Sequence, residues 1–155
     1  MISEGAINMK MNYIDDFEAW ALEFKFSVPL TVRFSEIDMY GIVNNAVAIS
    51  YFEYARIEYF KHIGFMSDWL NPLGETVPVI ADVQCDYLKQ IKYDEQLKIY
   101  VKANSIGNSS VDIHYMARNE QDEVVFTGRG TMVQIGRTTG KGFPWTVKEK
   151  SLFVD

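Results

Sequence analysis

Residues 46–63 constrain this chain more than any other stretch. Twelve of these 18 residues are apolar or aromatic, and they lie almost all round a helical wheel, with Ala48, Phe52, Ala55, Tyr59 and Ile63 forming the densest stripe. A helix apolar on most sides must be buried rather than laid on a surface. Gly64 follows directly and suits a left-handed helix stop. The rest of the chain therefore has to enclose this helix.

The flanking segments supply the enclosure. Residues 26–35 are rich in β-branched and aromatic side chains and read as a strand, with Pro29 marking an edge or a bulge. A loop over 66–76 carries Asn71-Pro72 and Gly74, and four strand-like runs follow. In 77–87, Val79, Ala81, Val83, Cys85 and Tyr87 alternate with polar residues, and in 96–106 Leu97, Ile99, Val101 and Ala103 do the same. Gly107-Asn108 reads as a two-residue hairpin turn. Beyond it Val111, Ile113, Tyr115 and Ala117 face away from Asp112, His114, Met116 and Arg118. Residues 119–123 turn the chain, and 124–137 form a last strand in which Gly128 and Gly130 suggest a bend or bulge. The tail from Thr138 is punctuated by glycine and proline and is expected on the surface. The expected class is α+β, an antiparallel sheet curled around one central helix. Its other face must be covered or solvated.

Residues 1–25 form an N-terminal extension to this unit. The first dozen residues are polar and small and are expected to be disordered. Phe17, Trp20, Ala21 and Phe24 then follow helical spacing, with Asp15 or Asp16 available as a cap.

At 155 residues the chain is expected to be one domain, able to bury about 70% of its extended surface. The net charge of −6, with no basic stripe, argues against nucleic acid as a partner. No apolar run is long enough to span a membrane, residues 1–15 lack the layout of a secretory signal, and a cytoplasmic location is the default. Cys85 is the only cysteine, so no intramolecular disulfide can form; with only His62 and His114 beside it, a zinc site has too few soft ligands. Cys85, His62 and His114 therefore read as structural.

Chemistry concentrates in Asp38-Met39-Tyr40-Gly41-Ile42-Val43-Asn44-Asn45, which runs straight into the helix. The first amides of a helix lack intrahelical acceptors and carry partial positive charge, so a carboxylate held in front of them faces a place where an oxyanion can develop. Such a pairing suits hydrolysis of an ester or thioester. Taken alone, Asp38 reads as a turn residue, and Asn44 and Asn45 read as helix caps.

The run from Val32 through Asn45, followed by Tyr51-Phe52-Glu53-Tyr54-Ala55-Arg56, resembles the opening of the hotdog-fold thioesterases of the 4-hydroxybenzoyl-CoA thioesterase and acyl-CoA thioesterase type. Asp86-Tyr87-Leu88-Lys89, then Gln96-Leu97, is similar to a later motif of that family, and the likeness spans residues 27–136. The resemblance implies a five-stranded antiparallel sheet around a long helix, assembled as a homodimer or homotetramer with the site at a protomer interface. It implies hydrolysis of a CoA thioester to acid and thiol without metal or cofactor. Asp38 matches the catalytic carboxylate, as nucleophile or as base on water, Gly41 its turn, and the backbone amide of Asn45 the group that polarises the carbonyl. Tyr40, Asn44 and Glu53 are candidate substrate contacts, and Lys89 and Lys92 candidate partners for CoA phosphates. A local Glu53–Arg56 pair is the simpler reading of that carboxylate. Three departures stand out: Ile42 and Asn45 where relatives carry histidine, Ala48 in place of an aromatic, and Gln90 and Asp94 in place of proline and glycine. They imply a differently shaped acyl pocket and a missing proton-transfer or orienting group. An acyl-CoA-binding protein without activity and an acyl carrier protein thioesterase are the alternatives.

Overall fold

The computed structural model describes residues 11–153. Helix α1 (Phe17–Leu22) precedes strand β1 (Phe26–Thr31), a 3-10 turn (Phe34–Glu36), the long helix α2 (Asn45–Ile63) and the short helix α3 (Met66–Leu70). Strands β2 (Thr76–Tyr87), β3 (Gln96–Ile106), β4 (Ser110–Arg118) and β5 (Val124–Gly136) follow, and helix α4 (Val147–Leu152) comes last. All pairings are antiparallel, in the order β1-β3-β4-β5-β2. This five-stranded sheet against a long helix is the hotdog arrangement that the sequence implies. Pro29 sits in β1, an edge strand, where its missing N–H costs no ladder bond.

Helix α2 starts where Asn44 Oδ1 accepts from Ala46 N–H at 3.0 Å and stops at Gly64, whose φ of +98° is the left-handed cap. Ala48, Phe52, Ala55, Tyr59 and Ile63 are all buried, joined by Tyr51 and Phe60. The opposite face is not: Ile49 and Tyr54 are more than 40% exposed, and Ser50 and Glu53 lie open beside them. A single layer of five strands covers only one side of a cylinder, so the expectation of a helix buried nearly all round is met by half.

The helix approaches the sheet closely at Gly128. A Cβ there would stand 2.4 Å from the Phe52 ring, and one at Gly130 would stand 2.8 Å from the Asp82 carbonyl oxygen. The ladder runs unbroken through both glycines, which pair with Tyr115 and Ile113 on one side and Cys85 and Val83 on the other. Close approach, rather than the expected bend, explains them. The register shifts lie elsewhere, at Ile80/Asp82, Ala103/Ser105 and Ala117/Arg118.

Three further expectations are corrected. The first strand ends at Thr31 because the next residues turn into the Glu36 cap. The loop over 66–76 contains α3, whose Trp69 donates from Nε1 to the buried Gln134 at 3.1 Å. The tail enters the core: Trp145 and Phe153 are about 5% exposed and pack with Phe65 at centroid distances of 5.7 and 4.9 Å. In addition, β3 and β4 are joined by a loop of residues 107–109, closed by Gly107 N–H on the Ser110 carbonyl.

The outer face of the sheet is covered by the N-terminal extension. Asp16, rather than Asp15, caps α1. Trp20 and Phe24 join Met11, Ile14, Leu88, Met116 and Val124 in a second apolar cluster. Trp20 Nε1–H donates to His114 Nδ1 at 2.8 Å, so His114 carries its proton on Nε2 and gives it to Asp112 Oδ2, also at 2.8 Å. Arg129 closes the chain on Asp112 at 2.7 Å. His114 thus has the structural role expected of it. The opening residues expected to be disordered fall, through residue 10, outside the described residues.

Candidate active site

The loop between β1 and α2 is held at both ends by Glu36. Its Oε1 accepts from Arg33 N–H at 2.8 Å and from the Tyr51 hydroxyl at 3.0 Å, while Oε2 pairs with Arg33 Nη2 at 3.0 Å. The Glu36 carbonyl accepts from Asn44 N–H at 3.0 Å. One buried residue therefore ties the start of the loop and the body of α2 through its carboxylate and the end of the loop through its carbonyl. Burial alone would raise the Glu36 pKa, but the hydrogen bonds from Arg33 and Tyr51 outweigh it and hold the carboxyl below the usual range.

Inside that frame, residues 37–43 form a tight loop. Gly41, at φ +76°, donates to the Asp38 carbonyl at 3.0 Å, and Asp38 N–H donates to the Ile42 carbonyl at 2.8 Å. Asp38 Oδ1 accepts from Tyr40 N–H at 2.8 Å and Ile42 N–H at 3.4 Å. The carboxylate is thus both a turn element and a fixed group, with Oδ2 left unengaged among the described residues. The loop docks on the segment after β2: Val43 N–H reaches the Ile91 carbonyl at 2.7 Å, and Ile42 bridges to Lys92.

At the helix start, Asn44 Oδ1 takes Ala46 N–H, and the Asn44 carbonyl takes Val47 N–H at 2.9 Å. The Asn45 N–H has no acceptor among the described residues. It stands at the positive end of a 19-residue helix, on the wall of a cavity of about 490 Å³. Ile42, Ala48, Tyr87, Lys89 and Lys92 line the same cavity.

The structure thus brings Asn45, Lys89 and Lys92 together on one cavity wall; Asp38 is not part of that wall and is tied to it through the Ile42 amide. Gly41 shapes the turn, and Asn44 is spent on capping. Tyr40 is 90% exposed, outside the cavity wall. Glu53 is open to solvent and lies 3.9 Å from Arg56, the local pair the sequence suggests. Lys89 Nζ is engaged by Glu123. Burial pushes the Cys85 thiol up to about 12, leaving it protonated and a poor nucleophile. No three His, Cys, Asp or Glu side chains among the described residues converge as metal ligands.

Two participants escaped the sequence reading. Glu36 had a signal, its place three residues after Arg33, from which its carboxylate reaches back to the Arg33 N–H and guanidinium. Tyr87 lies in the motif from Asp86 to Lys89, but no local pattern ties its hydroxyl to the Asn45 carbonyl, a partner 42 residues away.

A hotdog sheet with a carboxylate loop at the start of its helix defines a class of protein, and known proteins of that class resemble this chain. The model of the thioesterase-like superfamily matches residues 32–150, and the chain belongs to that superfamily. An uncharacterised Bacillus subtilis protein, YsmA, is 44% identical over 139 residues, 89% of this chain and 92% of its own. The acyl-CoA thioesterase YbgC of Haemophilus influenzae is 25% identical, covering 82% of this chain and 94% of its own. A thioesterase from Thermus thermophilus, solved with coenzyme A and Zn, is 32% identical with a TM-score of 0.72, covering 84% of this chain and 98% of its own.

Proposed function

We propose that this protein hydrolyses an acyl- or aryl-CoA thioester to the free acid and CoA. The observation that carries the reading is the unpartnered N–H of Asn45, a residue of the cavity wall, with the Asp38 carboxylate bonded to the amide of Ile42 on the same wall. The thioester carbonyl accepts from Asn45 N–H, and the helix start stabilises the oxyanion that forms. Asp38 then acts in one of two ways. Its free Oδ2 attacks the carbonyl carbon, expelling CoA thiolate and leaving an anhydride that water cleaves. Alternatively it takes a proton from a water that attacks directly. Neither route uses a metal or cofactor. Lys92, at the cavity edge, is a partner for CoA phosphates, and Lys89 joins it if it leaves Glu123.

The active form is proposed to be a dimer, paired along β2. That strand is a 12-residue edge on which Val79, Ile80 and Val83 are each more than 40% exposed, the kind of edge a second copy covers.

The test is thiol release from a panel of short, long and aromatic acyl-CoAs and one acyl carrier protein thioester. Turnover of a CoA substrate supports the reading. Calorimetric binding without turnover of any member favours a non-catalytic acyl-CoA-binding protein, a reading kept because Ile42 and Ala48, rather than a histidine, line this cavity.

A further inference from the structure

Peptide 45–46 at the helix start is held from both sides. Its N–H, on Ala46, is taken by the Asn44 side chain, and its carbonyl, on Asn45, is taken by the Tyr87 hydroxyl. Asn45 lies between the peptide so held and its own free N–H. Tyr87 is the last residue of β2, and its side chain lines the cavity next to Asn45. Resting on the hydrolase reading above, we propose that Tyr87 is a positioning residue: it clamps the end of β2 to the Asn45 carbonyl and so aims the Asn45 N–H at the thioester oxygen.

The chemistry fits a clamp. Burial is the largest influence on the phenol and, with the neighbouring Cys85, pushes it up to about 12, so it keeps the proton it donates at working pH. An ordinary α-helix frays at its first turn, where the N–H groups lack intrahelical acceptors. Here the side-chain cap restrains only the N–H side. A tie from a sheet strand on the Asn45 carbonyl adds to the helix's own bond there and further restrains the residue that must stabilise charge, and small misplacements of such donors are costly.

The test is Tyr87→Phe, which removes one oxygen from a half-exposed edge residue and keeps the ring packing. Thiol release, binding of a thioether analogue of the best acyl-CoA, and the backbone 15N resonance of Ala46 are measured on wild type and variant. The inference expects kcat to fall roughly ten- to a hundredfold with KM and analogue binding within about twofold, and the Ala46 resonance to move. A purely structural role shifts KM and analogue binding together with kcat, and that result overturns the inference, as does an active wild type matched by Tyr87→Phe. A wild type that releases no thiol from any substrate overturns the hydrolase reading and this inference with it. Equal kcat values with a displaced Ala46 resonance overturn only the positioning role.

Discussion

Gly128→Ala is the sharpest test of how α2 seats on the sheet. The added carbon would stand 2.4 and 2.5 Å from two Phe52 ring carbons and 2.6 Å from the Gln84 carbonyl oxygen. Non-bonded carbons prefer about 3.5–4.0 Å, so the overlap is about 1 Å on two sides at once. Neither side yields easily. The Gln84 carbonyl belongs to the β2 backbone opposite Arg129, and Phe52 is fully buried, stacked 4.3 Å from Tyr115 and tilted against Phe126 at 5.4 Å. Overpacking of this kind costs about 1–3 kcal/mol, and contacts on two rigid sides place it at the upper end. At about 2–4 °C per kcal/mol for a chain of this size, the melting temperature drops by roughly 6–12 °C. The assay is thermal unfolding by circular dichroism, with a double-mutant cycle against Phe52→Leu. Phe52→Leu alone loses core volume, but with Gly128→Ala it relieves the ring overlap, so the pair is less than additive by about 1 kcal/mol or more. A melting temperature unchanged within about 2 °C, or strict additivity, refutes the close-approach reasoning.

Glu36→Gln preserves shape but removes the charge that Arg33 and Tyr51 bond, and it is expected to cost about 1–2 kcal/mol by urea denaturation at pH 7. Because the Glu36 carboxyl is held below its unfolded value, that stabilisation is present above the unfolded pKa and disappears as pH falls through the folded one; a difference between variant and wild type that persists in strong acid contradicts it. For His114 burial holds the folded pKa below the unfolded value, with Asp112 pulling it up and Lys102 and Arg129 pulling it down. The neutral ring is what accepts from Trp20, so its contribution is present above about pH 6.5 and is lost as pH falls through the folded pKa. The pH dependence of the denaturation midpoint between about 7.5 and 5 is expected to be shallower in His114→Gln than in wild type, and equal slopes rule this out.

The main elements were legible because their periods are strong. Alternation in 96–106 and 111–118 placed β3 and β4, and the stripe Ala48, Phe52, Ala55, Tyr59, Ile63 marked the buried face of α2. Helix α3, at five residues, is too short for a period to show. The burial of Trp145 and Phe153 depends on Phe65 and Trp69, contacts between distant positions that no local pattern carries. At the site, the motif around Asp38 and Asn45 located the loop and the helix start. The capping role of Asn44 was legible because it is local; that Glu123 holds Lys89 and that Tyr87 reaches the Asn45 carbonyl was not, because both need the strand register.

The central claim is that Asp38 is the essential carboxylate of a thioester hydrolase. Thiol release from the best acyl-CoA of the panel, compared between wild type and Asp38→Asn at matched folding, tests it most directly. The side-chain amide keeps the oxygen that holds the Tyr40 and Ile42 N–H groups but can neither attack nor take a proton. The account predicts a fall in kcat of at least about 10²-fold. Equal rates for the two proteins would contradict it.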